Sequence, residues 1–197
     1  MRNVWIKTDV TTEPVTVQEA KLFCKVTGTG DDALFSILIR QARESIEQYC
    51  GISLAEKTYV VEWDKIPSNG IIELPYGPVK SISAVTIKYE DSTDADETLV
   101  LNDDYYVTKT PWSELRVGYL SVYSRSRLRV EYIVGYGASG NPPMPYPLKV
   151  AMFKEILTQY DIREDINIGN VVTSQLGNSS RALAHPYKRT LWFAPEA

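Results

Sequence analysis

The sequence predicts an α+β protein: a helical core of two N-terminal helices plus a third near 147–163, an antiparallel β insertion, and an extended C-terminal arm. Three observations carry this. Apolar residues recur at three- and four-residue spacing over 32–50 and again over 148–160. From residue 52 the period changes to two. Clusters of Pro, Gly, Asn and Asp separate the alternating runs. Strands and helices do not alternate as βαβ units, so the class is α+β.

Thr16-Val17-Gln18-Glu19 has the form of a capping box, in which the Thr16 hydroxyl accepts from the Glu19 N–H and the Glu19 carboxylate accepts from the Thr16 N–H. It predicts a helix over 16–25, ended by Val26-Thr27-Gly28-Thr29-Gly30. Asp31 or Asp32 then caps a helix over 32–50 whose apolar face carries Leu34, Ile37, Leu38, Ala42, Ile46 and Tyr49, with Gly51 as its C-cap. The β insertion spans 56–135. Its strands are expected at 59–63, 71–74, 84–89, 105–108 and 128–134, with turns at Pro67–Gly70, Pro75–Pro78 and the acidic run Asp91–Glu97. Pro147 fits the first turn of the helix over 147–163, where a missing N–H leaves no bond unmade. Gly177-Asn178-Ser179-Ser180 reads as a flexible hinge before an aromatic, basic tail, so residues 1–165 form one domain and 166–197 an arm.

Composition narrows the function. Twenty-one Lys and Arg stand against 25 Asp and Glu, a net charge of −4, so no global basic field draws the chain onto nucleic acid or anionic lipid. No run of about 18 apolar residues predicts a membrane span, and the N-terminus lacks the apolar stretch of a secretory signal. The expected place of synthesis is the cytoplasm. Cys24 and Cys50 fall in no CxxC or Cys/His set, which points to apolar packing and to neither a metal site nor a disulfide scaffold.

Catalytic motifs are weak or absent. Gly135-Tyr136-Gly137-Ala138-Ser139-Gly140 is a literal GxGxxG after a predicted strand, but Asn141-Pro142-Pro143 follows where a phosphate-binding helix should open, so it reads as a strand-to-helix turn. Gly28-Thr29-Gly30-Asp31-Asp32-Ala33 would set two carboxylates where phosphate charge belongs. The single histidine, His185, lies in the arm, a poor place to preorganise a general base. Asp103-Asp104 after Asn102 suits a turn better than an acid pair. These readings imply no enzyme, no cofactor and no metal.

Arg125, Arg127 and Arg129 alternate, which sets three guanidinium groups on one strand face as a ring or partner contact, or as a solvated face opposite Leu128, Val130 and Tyr132. In the tail, Arg181, Lys188 and Arg189 outweigh Glu196, and Leu183, Pro186, Tyr187, Trp192 and Phe193 add apolar and aromatic surface, a composition suited to docking on an acidic partner.

In order along the chain, Glu13-Pro14-Val15-Thr16-Val17-Gln18-Glu19-Ala20-Lys21, Asp31-Asp32-Ala33-Leu34, Ala42-Arg43-Glu44 before Tyr49-Cys50-Gly51, Ile72-Glu73-Leu74-Pro75 through Val79, Val130–Gly137, Pro147–Ala151 and Leu183–Lys188 resemble the head-tail connector (adaptor) proteins of long-tailed bacteriophages and phage-like particles. The departures are a lengthened β region around Asp91–Arg125 and Lys188 where arginine is usual. The resemblance implies a structural, non-enzymatic virion protein at the head-tail interface. Its copies would form a dodecameric ring below the portal that extends the DNA channel, without a membrane. Its implied partners are the portal protein, neighbouring copies, a stopper or tail-side neck protein, and DNA passing through non-specifically. Residues 1–165 would be the adaptor domain, and Arg181, Leu183, Pro186, Tyr187, Lys188, Arg189, Trp192 and Phe193 the portal-docking set. The alternatives are another neck role, stopper or tail terminator, and a small β-rich ligand-binding module that uses Trp63, Trp112 and the tyrosines.

Overall fold

The computed structural model describes residues 2–64, 70–89, 96–108, 114–117, 126–137, 142–161 and 177–189. The chain divides into two compact units: Met1–Thr12 with Ala55–Pro142, and Glu13–Leu54 with Pro143–Ala197. The first is β, the second helical, so the α+β class holds.

The β unit contains β1 (Arg2–Thr8), β2 (Lys57–Trp63), β3 (Ile71–Glu73), β4 (Val79–Tyr89), β5 (Glu97–Thr98), β6 (Tyr105–Thr108), β7 (Glu114–Val117) and β8 (Ser126–Val134). The strands pair antiparallel, in a five-stranded sheet ordered β1-β2-β8-β4-β5 and a three-stranded sheet ordered β3-β7-β6. The period-two runs supply alternate residues to one apolar layer, where Val61, Val85, Leu128, Val130, Tyr132 and Val134 are buried with Ile72, Leu74 and Tyr105. The hydroxyl of Tyr132 donates to the Pro75 carbonyl at 2.5 Å, which satisfies a polar atom that burial would otherwise strand. β1, β5 and β7 were not among the expected strands. Asn102 adopts φ 71°, and the Asp104 carboxylate accepts from the Val100 N–H at 2.7 Å, so this acid serves the expected turn.

Gly135 (φ +115°) and Gly137 (φ +83°) follow β8, and the next described helix begins at Tyr146. A Cβ at Gly135 would stand 2.1 Å from the Ala55 carbonyl oxygen, so close approach of two backbones demands this glycine. The GxGxxG is a turn at its described end. Pro67–Asn69 and most of the Asp91–Glu97 run lie outside the described residues.

The helical unit contains α1 (Val17–Cys24), α2 (Asp32–Cys50), α3 (Tyr146–Asp161), α4 (Asn178–Ala184) and a 3₁₀ turn over His185–Tyr187. The capping box is formed as the sequence dictates: Glu19 N–H donates to Thr16 Oγ1 at 3.2 Å and Thr16 N–H to Glu19 Oε2 at 3.0 Å. Gly51 caps α2 in the left-handed conformation. Two expectations are corrected. Asp31 makes no side-chain cap, and its carboxylate instead accepts from the Tyr160 hydroxyl at 2.8 Å, because the Phe35 and Tyr160 rings stack 4.9 Å apart and bring that hydroxyl to it. The buried face of α2 is Phe35, Leu38, Ile39, Ala42, Ile46 and Cys50, while Ile37 is 64% exposed.

A buried ion network ties the start of this unit to α2. Arg43, 1% exposed, donates from Nε to Glu13 at 2.8 Å and from Nη1 to Glu47 at 3.0 Å. Glu47 also accepts from the Leu54 N–H at 2.8 Å. Removing Arg43 would take from the buried Glu47 carboxylate its hydrogen-bonded guanidinium.

Candidate functional site

The tail residues expected to dock on a partner are gathered, as far as they are described, at the C-terminal end of α2. Gly177-Asn178-Ser179-Ser180 is not a hinge there: Gly177 precedes α4, its N–H donates to the buried Glu155 carboxylate at 3.1 Å, and Ser180 and Ala184 are buried. Ser180 and Ala184 anchor α4 by burial, since seven residues cannot sustain a helix alone.

From α4 the chain reaches Tyr49. The Arg181 guanidinium lies 5.4 Å from the Tyr49 ring centroid, and Lys188 Nζ lies 5.0 Å from it. The Tyr49 hydroxyl and His185 Nδ1 are 3.1 Å apart. The Arg189 N–H donates to the Cys50 carbonyl at 2.7 Å, which satisfies one of the orphan carbonyls of the helix end. The last turn of α2 contains no basic residue of its own, so Arg181 and Lys188 supply the positive charge that a helix C-terminus favours. Burial pushes the Cys50 thiol up to about 11, against the opposing pull of Lys188, and the protonated thiol donates to the Ala184 carbonyl at 3.4 Å.

The exposed side of this cluster consists of His185, Pro186 and Lys188, with Arg181, Leu183, Tyr187 and Arg189 half-buried. The structure thus brings together Arg181, Lys188 and Arg189 around one helix end. Trp192 and Phe193 lie outside the described residues.

The arginine stripe is placed on the five-stranded sheet. Arg129 sits 5.6 Å from the Trp5 ring, and Arg127 lies 3.6 Å from the Glu62 carboxylate. Lys7 pairs with Glu131 two residues on at 2.7 Å. Both arginines therefore engage groups of their own sheet face, while Arg125 lies outside the described residues.

Sequence reasoning missed a groove of about 600 Å³ between α1 and α3, lined by Leu22, Phe23, Tyr146, Val150 and Phe153 with Glu19 and Lys149 at its border. Leu22 is 80% and Tyr146 83% exposed. The Phe23 and Phe153 rings stack 5.1 Å apart. The available signal was Leu22-Phe23 in a short helix with room to bury only one face. Among the described residues, no group of three or more His, Cys, Asp or Glu is placed to hold a metal, and no helix is long and apolar enough to cross a membrane.

Two units, a β sheet system and a helical bundle with its tail folded on the second helix, define an α+β protein. Residues 14–104 match the family of phage gp6-like head-tail connector proteins, which bears out the resemblance over that stretch. No match was found among curated proteins. Among solved structures, the chain is similar to a chain in the neck of an empty gene transfer agent (GTA) particle computed with C6 symmetry (TM-score 0.74, 19% identity, 98% of this chain and 100% of that one). It is also similar to a chain in the virion of a native GTA particle (TM-score 0.72, 18% identity, 96% and 97%) and to one in the neck of a native GTA particle computed with C12 symmetry (TM-score 0.69, 19% identity, 98% and 100%). The family match supports a structural connector role, and the solved structures show that the fold is shared.

Proposed function

We propose that the chain is the head-tail connector of a phage or phage-like particle, resident in the virion, whose copies form a ring below the portal and extend its DNA channel. The observation that carries this is the connector-family match over residues 14–104. The full-length likeness to chains of particle necks agrees with it. A net charge of −4 suits a channel through which DNA slides without being held.

The portal contact in this reading is the tail cluster on Tyr49, with Pro186 and Lys188 exposed for it and Trp192 and Phe193 following in sequence. Ser180 Oγ and Arg181 Nε are buried with no hydrogen-bond partner among the described residues, and each such atom costs about 1–3 kcal/mol, so the segment can exchange its own helix end for a partner's surface.

The test is native mass spectrometry of the protein alone and mixed with the portal protein of the same particle, with negative-stain images of the mixture. The expected result is a portal carrying an added ring of this chain. Two proteins that never associate at high concentration would overturn the connector role. Deletion of 178–197 should abolish portal binding and leave a folded chain; retained binding would remove the docking role from the tail.

A further inference from the structure

The groove between α1 and α3 is apolar at its centre and open to solvent. Leu22 and Tyr146 stand 80% and 83% exposed beside the stacked rings of Phe23 and Phe153. A cluster of large exposed apolar side chains marks a surface that another group covers. Its volume of about 600 Å³ falls in the range of pockets that enclose a small molecule, so ring-sized side chains fit.

The chain itself carries such side chains close by. Arg189, the last described residue, is fixed at the end of α2 by its N–H, which donates to the Cys50 carbonyl. After it come Thr190-Leu191-Trp192-Phe193-Ala194-Pro195-Glu196-Ala197, three large apolar side chains in succession and a single charged one, Glu196. At the other end of α2, Asp31 accepts from the Tyr160 hydroxyl and Phe35 stacks on the Tyr160 ring, so α2 and α3 run antiparallel. A rise of about 1.5 Å per residue sets Tyr146 about 21 Å from Tyr160 and Cys50 about 28 Å from Asp31. Cys50 and Tyr146 thus lie at the same end of the bundle, offset by about 7 Å along it and by a helix spacing of about 8–10 Å across it. An extended chain covers about 3.3–3.6 Å per residue, so Phe193, four residues beyond Arg189, comes within reach of the Tyr146 end of the groove.

We propose that, before the chain meets a partner, Leu191, Trp192 and Phe193 fold back into the α1–α3 groove of the same chain. There the two aromatic rings extend the Phe23–Phe153 stack and cover Leu22 and Tyr146. A link this short holds the segment at an effective concentration of the order of mM, which a second copy or a separate partner at micromolar concentration does not match. This goes beyond the connector reading and does not depend on it. A portal contact made by the same residues would first have to draw them out of the groove.

Two measurements on the chain alone test this. In a Cys24→Ser background, Leu22→Cys with Ala194→Cys is treated with a short bismaleimide at low micromolar concentration. The expected product is a monomer linked within itself, mapped by proteolysis and mass spectrometry. Its yield should be at least about fivefold that of Ile37→Cys with Ala194→Cys, which sets the first thiol on the exposed face of α2. Second, a chain ending at Arg189 should give about threefold more fluorescence with anilinonaphthalene sulfonate than the full chain, and an added peptide of residues 190–197 should reverse the gain. Linked dimers in place of the internal link would hand the groove to a second copy and overturn the proposal. Equal yields from the two cysteine pairs, or equal dye fluorescence from the full and shortened chains, would overturn it as well. Should the shortened chain misfold by circular dichroism, the cross-link decides. Ring formation on the portal is read separately, so its failure would remove the connector reading and leave this inference standing.

Discussion

The ammonium of Lys188 stands 5.0 Å from the centroid of the Tyr49 ring, across 139 residues of sequence. Arg181 approaches the same ring and His185 its hydroxyl, so one tyrosine at the end of α2 gathers the basic tail. A cation over an aromatic face is worth about 0.5–1 kcal/mol when exposed.

Tyr49→Leu keeps an apolar side chain and removes two cation contacts and a hydrogen bond. Amides of 181–189 should then exchange roughly tenfold faster, equivalent to about 1.4 kcal/mol of local opening, with little change elsewhere. Hydrogen exchange read by mass spectrometry checks this. Unchanged protection would mean that Ala184 packing alone holds the segment.

Burial acts to lower the Arg43 pKa, but hydrogen bonding to Glu13 and the charges of Glu47, Glu13 and Glu44 more than offset it, so the guanidinium is charged above its ordinary range. Arg43→Met would leave Glu47, 7% exposed, without that partner. The expected loss is about 3–5 kcal/mol in urea unfolding. Glu13→Gln, at the more open end of the network, should cost less than half as much.

Gly135→Ala places a methyl against the Ala55 carbonyl at φ +115°. Both backbone segments would have to move, so a destabilisation of more than about 2 kcal/mol is expected in thermal or urea unfolding. Gly137→Ala, also at positive φ but with open space around it, should cost less.

The thiol of Cys50 ionises at about 11 because burial disfavours the thiolate. A folded pKa above the unfolded value near 9.0 means that this stabilisation is fully present below pH 9 and is lost as pH rises toward 11. Alkylation of the native protein at pH 8 should therefore label half-buried Cys24 and spare Cys50 until the chain unfolds.

Hydrogen bonding from Lys149, then from the Thr16 backbone, holds the Glu19 carboxyl below its ordinary 4.5, against a smaller effect of burial. A lowered folded pKa contributes stability above pH 4.5 that disappears as pH falls through the folded value. Glu19→Gln should thus flatten part of the acid limb of the stability profile below pH 4.5. Thr16→Ala, which removes the other half of the box, should cost about 1 kcal/mol at pH 7.

The elements most legible in the sequence were those encoded by local chemistry. Helices over 16–25, 32–50 and 147–163 rest on a capping box, a C-cap glycine and a first-turn proline, and each was found within two residues of its expected limits. The five expected strands follow from alternation that buries one face. β1 was missed, although Val4-Trp5-Ile6 hinted at it, because seven largely exposed residues become a strand only when β2, more than fifty residues later, pairs with them.

The sequence by itself determined which residues can be helix and strand, that the chain is α+β, and that its tail is basic and aromatic, since these depend on contacts within a few residues. Only the tertiary structure decided that β8 sits between β2 and β4, that Ile37 faces outward, that Asp31 serves Tyr160, and that the basic tail closes over Tyr49. Each depends on which distant surfaces meet, and burial energy, being proportional to area and blind to sequence distance, leaves no local mark of its choice.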